Sequence, residues 1–199
     1  MNDAAKVPSA RQTELLEAAY EYALTHGLAD LSLRPLATAV GSSPRVLLYL
    51  YGSKDGLVRA LLARARADEL ALLEAARAGG AARAGGATLS FGKTLRLTWE
   101  WLAAEDHRSL LCLWVEAYGR SLIDPDGPWA GFARQTVEDW LSLLAAGQGP
   151  GRRRSAHGVA ERTEALAVLR GALLDLLATG DHRRTSAAVE AYMVRLGLT

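Results

Sequence analysis

The sequence contains a single cysteine, Cys112, among its 199 residues. One cysteine excludes an internal disulfide framework and is compatible with a reducing compartment. The N-terminus carries no apolar signal region, and no apolar run is long enough to span a bilayer. We therefore expect a soluble, cytoplasmic protein that has no membrane partner.

A large excess of charge is also missing. The chain has 23 Lys and Arg against 22 Asp and Glu, which gives a formal net charge of +1. Residues 1–66 hold eight basic side chains against six acidic ones, a difference of +2. A weakly charged chain can still bind nucleic acid if its basic side chains share one surface. A DNA-binding function must therefore depend on where the basic residues lie, not on their number.

Sequence motifs of common enzyme classes are absent as well. There is no G-x-S-x-G nucleophile motif, no G-x-x-x-x-G-K-[ST] phosphate loop and no H-E-x-x-H metal motif. The four histidines have no metal-ligand spacing; they are His26, His107, His157 and His182. Cys112 lies in an apolar segment, where packing explains it better than nucleophilic chemistry. We expect no catalytic residues, no metal and no cofactor, and hence no enzymatic activity.

Residues 32–57 carry the clearest local signals for structure. We expect the hydroxyl of Ser32 to cap a short helix, with Pro35 in its first turn. Gly41 supplies the left-handed exit that most side chains resist. Ser43 then predicts the N-cap of a second helix that begins at Pro44.

This second helix is expected to end near Leu50, before Gly52, and Ser53 caps the helix that follows. Two short helices joined by a glycine-containing turn form the helix-turn-helix layout, whose second helix enters the DNA major groove. On layout alone, an ordinary helical hairpin is an equal alternative.

Three segments of the sequence favour DNA binding over an ordinary helical hairpin. They read L-L-E-A-A-Y-E-Y-A-L-T-H-G from Leu15, S-L-R-P-L-A-T-A-V-G-S-S from Ser32 and Y-x-Y-G-S-K-D-G-L from Tyr49. Together they resemble the N-terminal domain of TetR-family transcriptional regulators, over about the first quarter of the chain. Leu48 and Leu50 depart from the family, which commonly has a tyrosine and a polar residue there. The resemblance implies an all-α fold, with a DNA-binding domain at residues 1–54 and a ligand-binding and dimerisation domain at 55–199.

The resemblance also implies which residues contact DNA. Lys54 matches a DNA-contacting lysine of the family and starts a helix whose N–H groups favour phosphate. Arg45 lies near the start of the reading helix, where its guanidinium suits guanine, and Tyr49 lies one turn further on the same face. A solvated surface arginine is the alternative for Arg45. The candidate DNA-binding residues are Arg34, Ser43, Pro44, Arg45, Val46, Tyr49 and Lys54.

Apolar periodicity predicts the other helices. The expected ranges are residues 9–26, 53–78, 88–105, 106–122, 129–144, 159–179 and 185–196, with Asp106 as a cap. Flexible connections are expected at residues 1–8, 79–87 and 147–158. The last of these is basic, but a solvated loop is favoured over a second nucleic-acid patch because no aromatic residue is interleaved.

Aromatic side chains are concentrated in the second region, where all five tryptophans lie. They either fill the core or line a small-molecule pocket between helices. The resemblance implies a pocket, and Thr98 and Glu116 are polar candidates near it. The candidate ligand-binding residues are Trp99, Leu102, Trp114, Tyr118 and Trp140.

Residues 159–179 are apolar almost all round, which requires burial on every side and suggests that one side meets another subunit. Leu169 and Leu173 are therefore expected in a dry interface. Asp175 needs a partner or solvent, because an unpaired buried carboxylate is costly. The resemblance implies that the last two helices pair with their copies as a four-helix dimer interface.

These patterns together predict an all-helical homodimer that binds a palindromic operator in double-stranded DNA. We expect a repressor that a small, largely apolar effector releases from the operator. The first alternative is a helical enzyme with its site in the tryptophan-rich bundle. The second is an interaction module that uses the helical scaffold without DNA.

Overall fold

The computed structural model describes residues 9–28, 31–83 and 89–198, and these residues form an all-helical fold. The all-α prediction is confirmed. The helices are α1 (Ala10–His26), α2 (Leu33–Ala39), α3 (Pro44–Tyr51), α4 (Lys54–Arg83), α5 (Phe91–Leu102), α6 (Arg108–Ile123), α7 (Phe132–Ala146), α8 (Pro150–Arg154), α9 (Ala156–Thr179) and α10 (His182–Arg195). No helix in these ranges is both long and apolar enough to cross a membrane.

Serine caps open most of the N-terminal helices, as predicted, but the prediction for Ser32 is wrong. The Ser43 hydroxyl accepts a hydrogen bond from the backbone N–H of Val46, and Ser53 accepts from Gly56 in the same way. Ser32 stands at the N-cap position of α2 without a side-chain capping bond. Each of the other two caps uses the N–H three residues later, and at that position after Ser32 the chain has Pro35, which has no N–H.

Two predicted connections differ from the structure. Helix α4 continues to Arg83, so residues 79–83 are helical instead of flexible. Alanine has the highest helix propensity, so the alanines of this segment are compatible with a helix, although each of its two glycines costs about 1 kcal/mol relative to alanine. The rest of that connection and the predicted arm at residues 1–8 lie outside the described residues.

The predicted basic loop at residues 147–158 is also wrong, because it folds into α8 and the start of α9. The buried amide of Gln148 donates to the carbonyl of Gly158 at 2.9 Å and to Glu161 at 2.7 Å. Arg152 forms an ion pair with Glu161 and holds the pKa of that carboxyl below its usual range. A Cβ at Gly158 would meet the carbonyl oxygen of Arg152, so only glycine allows this close approach.

The central helices begin later than predicted. A 3₁₀ turn at Glu105–His107 contains Asp106, so this residue does not cap α6, and the N-cap position falls on His107 without a side-chain capping bond. The His107 ring stacks on Trp101, with centroids 4.5 Å apart, and its Nδ1 lies 2.8 Å from the Trp101 carbonyl oxygen. These contacts keep residues 105–107 outside the α-helix.

Helix α4 connects the N-terminal helices to the rest of the chain. It packs against α1 and α3 and also against α5, α6 and α7. Its Leu57 and Leu61 are fully buried in one continuous cluster that includes side chains from both regions. The Tyr20 hydroxyl donates to Asp68 on α4 at 2.8 Å. Helix α4 is therefore in direct contact with α3 and with α1, and α2 packs on those two helices.

Candidate functional site

Local signals position the N-terminus of α3. Gly41 adopts a φ of +60°, which allows the turn after α2 that non-glycine residues resist. Ser43 caps α3 through its side chain, and Pro44 is the first helical residue, where its missing N–H costs nothing. The Ser43 hydroxyl is therefore already used in capping.

The C-terminal end of α3 is fixed to α1. The Tyr51 hydroxyl donates to the carbonyl of Gln12 at 2.9 Å, and the Gln12 amide donates to the carbonyl of Leu50 at 3.3 Å. Leu47 is the buried residue of α3 and anchors its inner face. These contacts hold the helix firmly while its other face stays free.

The outer face of α3 is open to solvent. Tyr49 is 86% exposed, and Arg45, one helical turn before it, is also exposed. Val46 and Leu48 are each 39% exposed beside them. The structure thus presents a mixed basic, aromatic and apolar face whose residues are not used for packing, as a helix that enters a major groove requires.

Basic side chains surround this face. Arg34 lies in the first turn of α2, and Lys54 is the first residue of α4, next to the Ser53 cap. The side chains of Arg34, Arg45 and Lys54 form no ion pair or hydrogen bond within the described ranges. Residues 31–60 carry four basic side chains against one acidic, a difference of +3. The small charge of the chain is therefore concentrated around the helix-turn-helix.

The five candidate ligand residues do not form one site. Leu102, Trp114 and Trp140 line a common cavity, and Tyr118 lies beside it, with its ring 5.1 Å from that of Trp114. Trp99 lies elsewhere, in a groove between α5 and α10, where its Nε1 donates to Ser186 at 3.0 Å. Four candidates therefore share one region and the fifth is separate.

The remaining walls of this cavity come from α9. They are Leu166, Leu169, Arg170 and Leu173. Sequence reasoning missed Arg170, although an arginine within the most apolar helix is a signal of the same kind as Asp175. The Arg170 guanidinium donates to the Tyr118 hydroxyl at 3.0 Å and lies over the Tyr118 ring.

Glu69 on α4 was also missed. It is 3% exposed, and its Oε1 accepts a hydrogen bond from Trp140 Nε1 at 2.8 Å. Burial raises the pKa of Glu69 to about 7, and the Trp140 bond offsets only part of this effect. The charged run A-R-A-D-E-L around it gives no sign of burial, because such a run usually marks a solvated helix face.

The two polar candidates face other parts of the structure. The Thr98 hydroxyl is buried and donates to the carbonyl of Thr94. Glu116 accepts a hydrogen bond from the backbone N–H of Leu28 at 2.9 Å, just after the end of α1. Glu116 therefore connects α6 to the helix-turn-helix region, and Thr98 is satisfied within its own helix.

The last two helices carry an apolar face that the chain does not cover. Leu174 is 45% exposed on α9, and Val194 is 58% exposed on α10. Leu169 and Leu173, expected at the interface, lie instead in the core of their own chain, because they face the tryptophan cavity. Asp175 is half-exposed and pairs with Arg184 of the same chain. The exposed apolar residues on these two helices are Val159, Leu174 and Val194, and Leu196 follows at the end of α10.

Comparison with known proteins identifies the architecture. No family model matches the sequence, and no curated protein matches it either. Among solved structures, a TetR-family member from Streptomyces coelicolor is 27% identical, with a TM-score of 0.65, and the match covers 94% of this chain and 98% of that one. The chain has the TetR fold, and its resemblance to TetR-family transcriptional regulators extends over nearly its whole length. This resemblance favours a regulator over the helical-enzyme alternative.

Two other solved structures extend this comparison. The multidrug-binding protein EbrR, in complex with proflavin, is 26% identical, with a TM-score of 0.64 and coverage of 94% of this chain and 99% of that one. A TetR transcription regulator from Haloarcula marismortui is 21% identical, with a TM-score of 0.64 and coverage of 90% and 92%. At that identity the second likeness shows the fold alone. Both matches cover at least 90% of this chain.

Proposed function

We propose that this chain is a TetR-family regulator, a homodimer that binds a palindromic operator and represses transcription until a small molecule releases it. The observation that carries the proposal is the outer face of α3, where Arg45 and Tyr49 are exposed and unpartnered in the described structure. In this proposal Arg45 reads a base edge, and Arg34 and Lys54 position the helix on phosphates. Ser43, Pro44 and Val46 form the N-terminal turn of α3 that approaches the groove.

The uncovered apolar residues of α9 and α10 support the proposed dimer. Leu174 and Val194 are exposed apolar side chains on helices that otherwise pack well, and burying such a face in a four-helix interface removes it from water. A two-fold dimer presents two copies of α3, so its operator is expected to consist of two inverted half-sites.

A ligand site in the second region, within residues 55–199, completes the proposal. EbrR has been crystallised with imidazole and with proflavin, and this chain resembles it over nearly its full length. In this chain the cavity lined by Leu102, Trp114 and Trp140 is the corresponding candidate, with Tyr118 beside it. A ligand can shift the dimer only if it binds the DNA-free form more tightly than the DNA-bound form.

The test is selection of a preferred site from a random DNA pool, followed by binding titrations on that site and on a scrambled control. We expect a palindromic site bound at least a thousandfold more tightly than the scrambled DNA, as is typical of specific binding. Selection that yields no enriched sequence, together with equal weak binding to all DNA, would favour the interaction-module alternative.

A further inference from the structure

The cavity between α5, α6, α7 and α9 has walls of two kinds. Most of its lining offers no free donor: Leu102, Leu166, Leu169 and Leu173 are apolar, and the N–H of Trp140 already donates to Glu69. The other two lining residues, Trp114 and Arg170, carry N–H donors. The lining residues therefore bring donors and no carboxylate, which is an unusual combination for a simple packing void.

Both donor residues have an N–H group without an acceptor. Trp114 Nε1 and Arg170 Nε are shielded from solvent, and neither has a hydrogen-bond partner among the described residues. Another nitrogen of the same guanidinium, Arg170 Nη1, donates to the Tyr118 hydroxyl. Buried donors are nearly always satisfied in folded proteins, so two unsatisfied ones on the same cavity indicate a missing acceptor.

The charge of the missing acceptor follows from Arg170. No carboxylate forms an ion pair with its guanidinium in the part of the chain that the structure describes. The buried carboxylate of Glu69 accepts from Trp140 and does not line the cavity. A cationic ligand would leave both donors unsatisfied and place a second positive charge beside Arg170. A carboxylate has the charge and the lone pairs that both donors need.

We propose that the cavity binds a carboxylic acid with one aromatic ring, its carboxylate on Arg170 Nε and Trp114 Nε1 and its ring among the leucines and Trp140. This assignment rests on the proposed function and names the ligand class of its second region. The cavity itself has room for only about one water molecule at its centre, so entry requires leucine side chains to move. That limit favours one ring over a larger polycyclic compound.

The experiment uses three probes of nearly equal shape: benzoate, benzamide and benzamidine, which are an anion, a neutral amide and a cation. Binding to the full chain is followed by quenching of tryptophan fluorescence, and by the rise in melting temperature that a ligand of the folded state produces. We expect saturable binding of benzoate, at least tenfold weaker binding of benzamide and no binding of benzamidine. A 2-naphthoate titration tests the size limit and should show weaker binding than benzoate.

Four variants separate direct contact from general damage. Arg170→Gln should weaken benzoate binding at least tenfold, and Trp114→Phe, which keeps a ring but removes the N–H, should weaken it several-fold. Trp101→Phe is the matched control, because Trp101 Nε1 is also buried without a partner but does not line the cavity. Tyr118→Phe removes the hydroxyl that holds the Arg170 guanidinium and should weaken benzoate binding less than Arg170→Gln does.

The results distinguish the carboxylate assignment from the proposed regulatory function. Equal binding of the three probes, no benzoate binding at millimolar concentration, or equal losses in Trp114→Phe and Trp101→Phe would overturn the carboxylate assignment. If the same protein still binds its selected operator, the proposed function stands and only the ligand class is wrong. Benzoate binding by a protein that selects no operator would leave this site intact and refute the regulatory function.

Discussion

Glu69 provides a stability prediction that can be worked out from its surroundings. The side chain is 3% exposed, and its pKa rises from the ordinary 4.5 to about 7 because burial penalises the carboxylate. Below pH 4.5 the acid is protonated in both the folded and the unfolded chain. Between pH 4.5 and about 7 the unfolded chain releases this proton and the folded chain retains it, so the free energy of unfolding falls as the pH rises.

The size of this loss follows from the two pKa values. Each pH unit between the unfolded and the folded pKa contributes about 1.4 kcal/mol, so the gap between 4.5 and about 7 corresponds to about 3 kcal/mol per chain. The part of the free energy of unfolding that depends on protonated Glu69 is therefore largest at pH 4 to 4.5, and little of it remains above pH 7.5. A loss of this size is a large fraction of the stability of an ordinary domain.

Glu69→Gln tests this reasoning, because a glutamine resembles the protonated acid and cannot lose a proton. Its carbonyl oxygen can still accept the hydrogen bond from Trp140. We expect the variant and the wild type to be about equally stable near pH 5, and the variant to be more stable by about 2–3 kcal/mol at pH 8.5.

The measurement is urea unfolding of both proteins at pH 5, 7 and 8.5, at one protein concentration so that dimerisation contributes equally. Glu138→Gln is the control, since Glu138 is exposed on α7, two residues before Trp140. The stability difference that Glu138→Gln shows at each pH is the baseline for judging Glu69→Gln. A difference between Glu69→Gln and wild type that stays constant from pH 5 to pH 8.5 would refute the argument that Glu69 is buried and titrates near neutrality.

Three further substitutions test the DNA, dimer and coupling contacts. Arg45→Ala should lower the binding free energy by about 1–3 kcal/mol per half-site on the operator alone. Lys54→Ala should weaken binding to operator and to scrambled DNA equally, and should reduce the slope of affinity against salt by about one per chain. Binding titrations at several salt concentrations measure both effects, and equal losses of affinity on the two DNAs for Arg45→Ala would make Arg45 a phosphate contact. Leu174→Asp should give a folded monomer by light scattering, since it puts an unpaired charge into the proposed interface, and a stable dimer would contradict that interface. Glu116→Ala removes the acceptor of the Leu28 N–H and should lower the unfolding free energy by about 1–3 kcal/mol in urea; no loss would show that this bond is not made in solution.

Sequence reasoning succeeded where short-range rules decide the structure. Gly41 has the positive φ that the turn requires, and Ser43 with Pro44 begins α3, because these signals act within four residues. The failure at Ser32 is also local. Pro35 removes the N–H that a serine three residues earlier would cap, so the sequence contained the information to reject that cap.

Long-range contacts explain the larger errors. The segment at residues 147–158 has the composition of a loop, yet Gln148 is buried because Glu161 and Gly158 satisfy its amide across more than nine residues. Glu69 lies in a charged run, yet it is buried and bonds to Trp140, 71 residues later. No periodicity within one helix predicts such a pair, since each side chain looks ordinary in its own segment.

Helix α6 connects the small cavity to the helix-turn-helix region. Trp114 and Tyr118 are four residues apart and share one face of α6, beside the cavity. Glu116 lies midway between them in sequence, about 200° around the helix from Trp114, and bonds the Leu28 N–H after α1. A helix that rotates or slides to admit a ligand at one face must move the Glu116 carboxylate at the other face. Helix α1 also holds the end of α3 through Gln12 and Tyr51, so hydrogen-bonded contacts extend from α6 through α1 to α3.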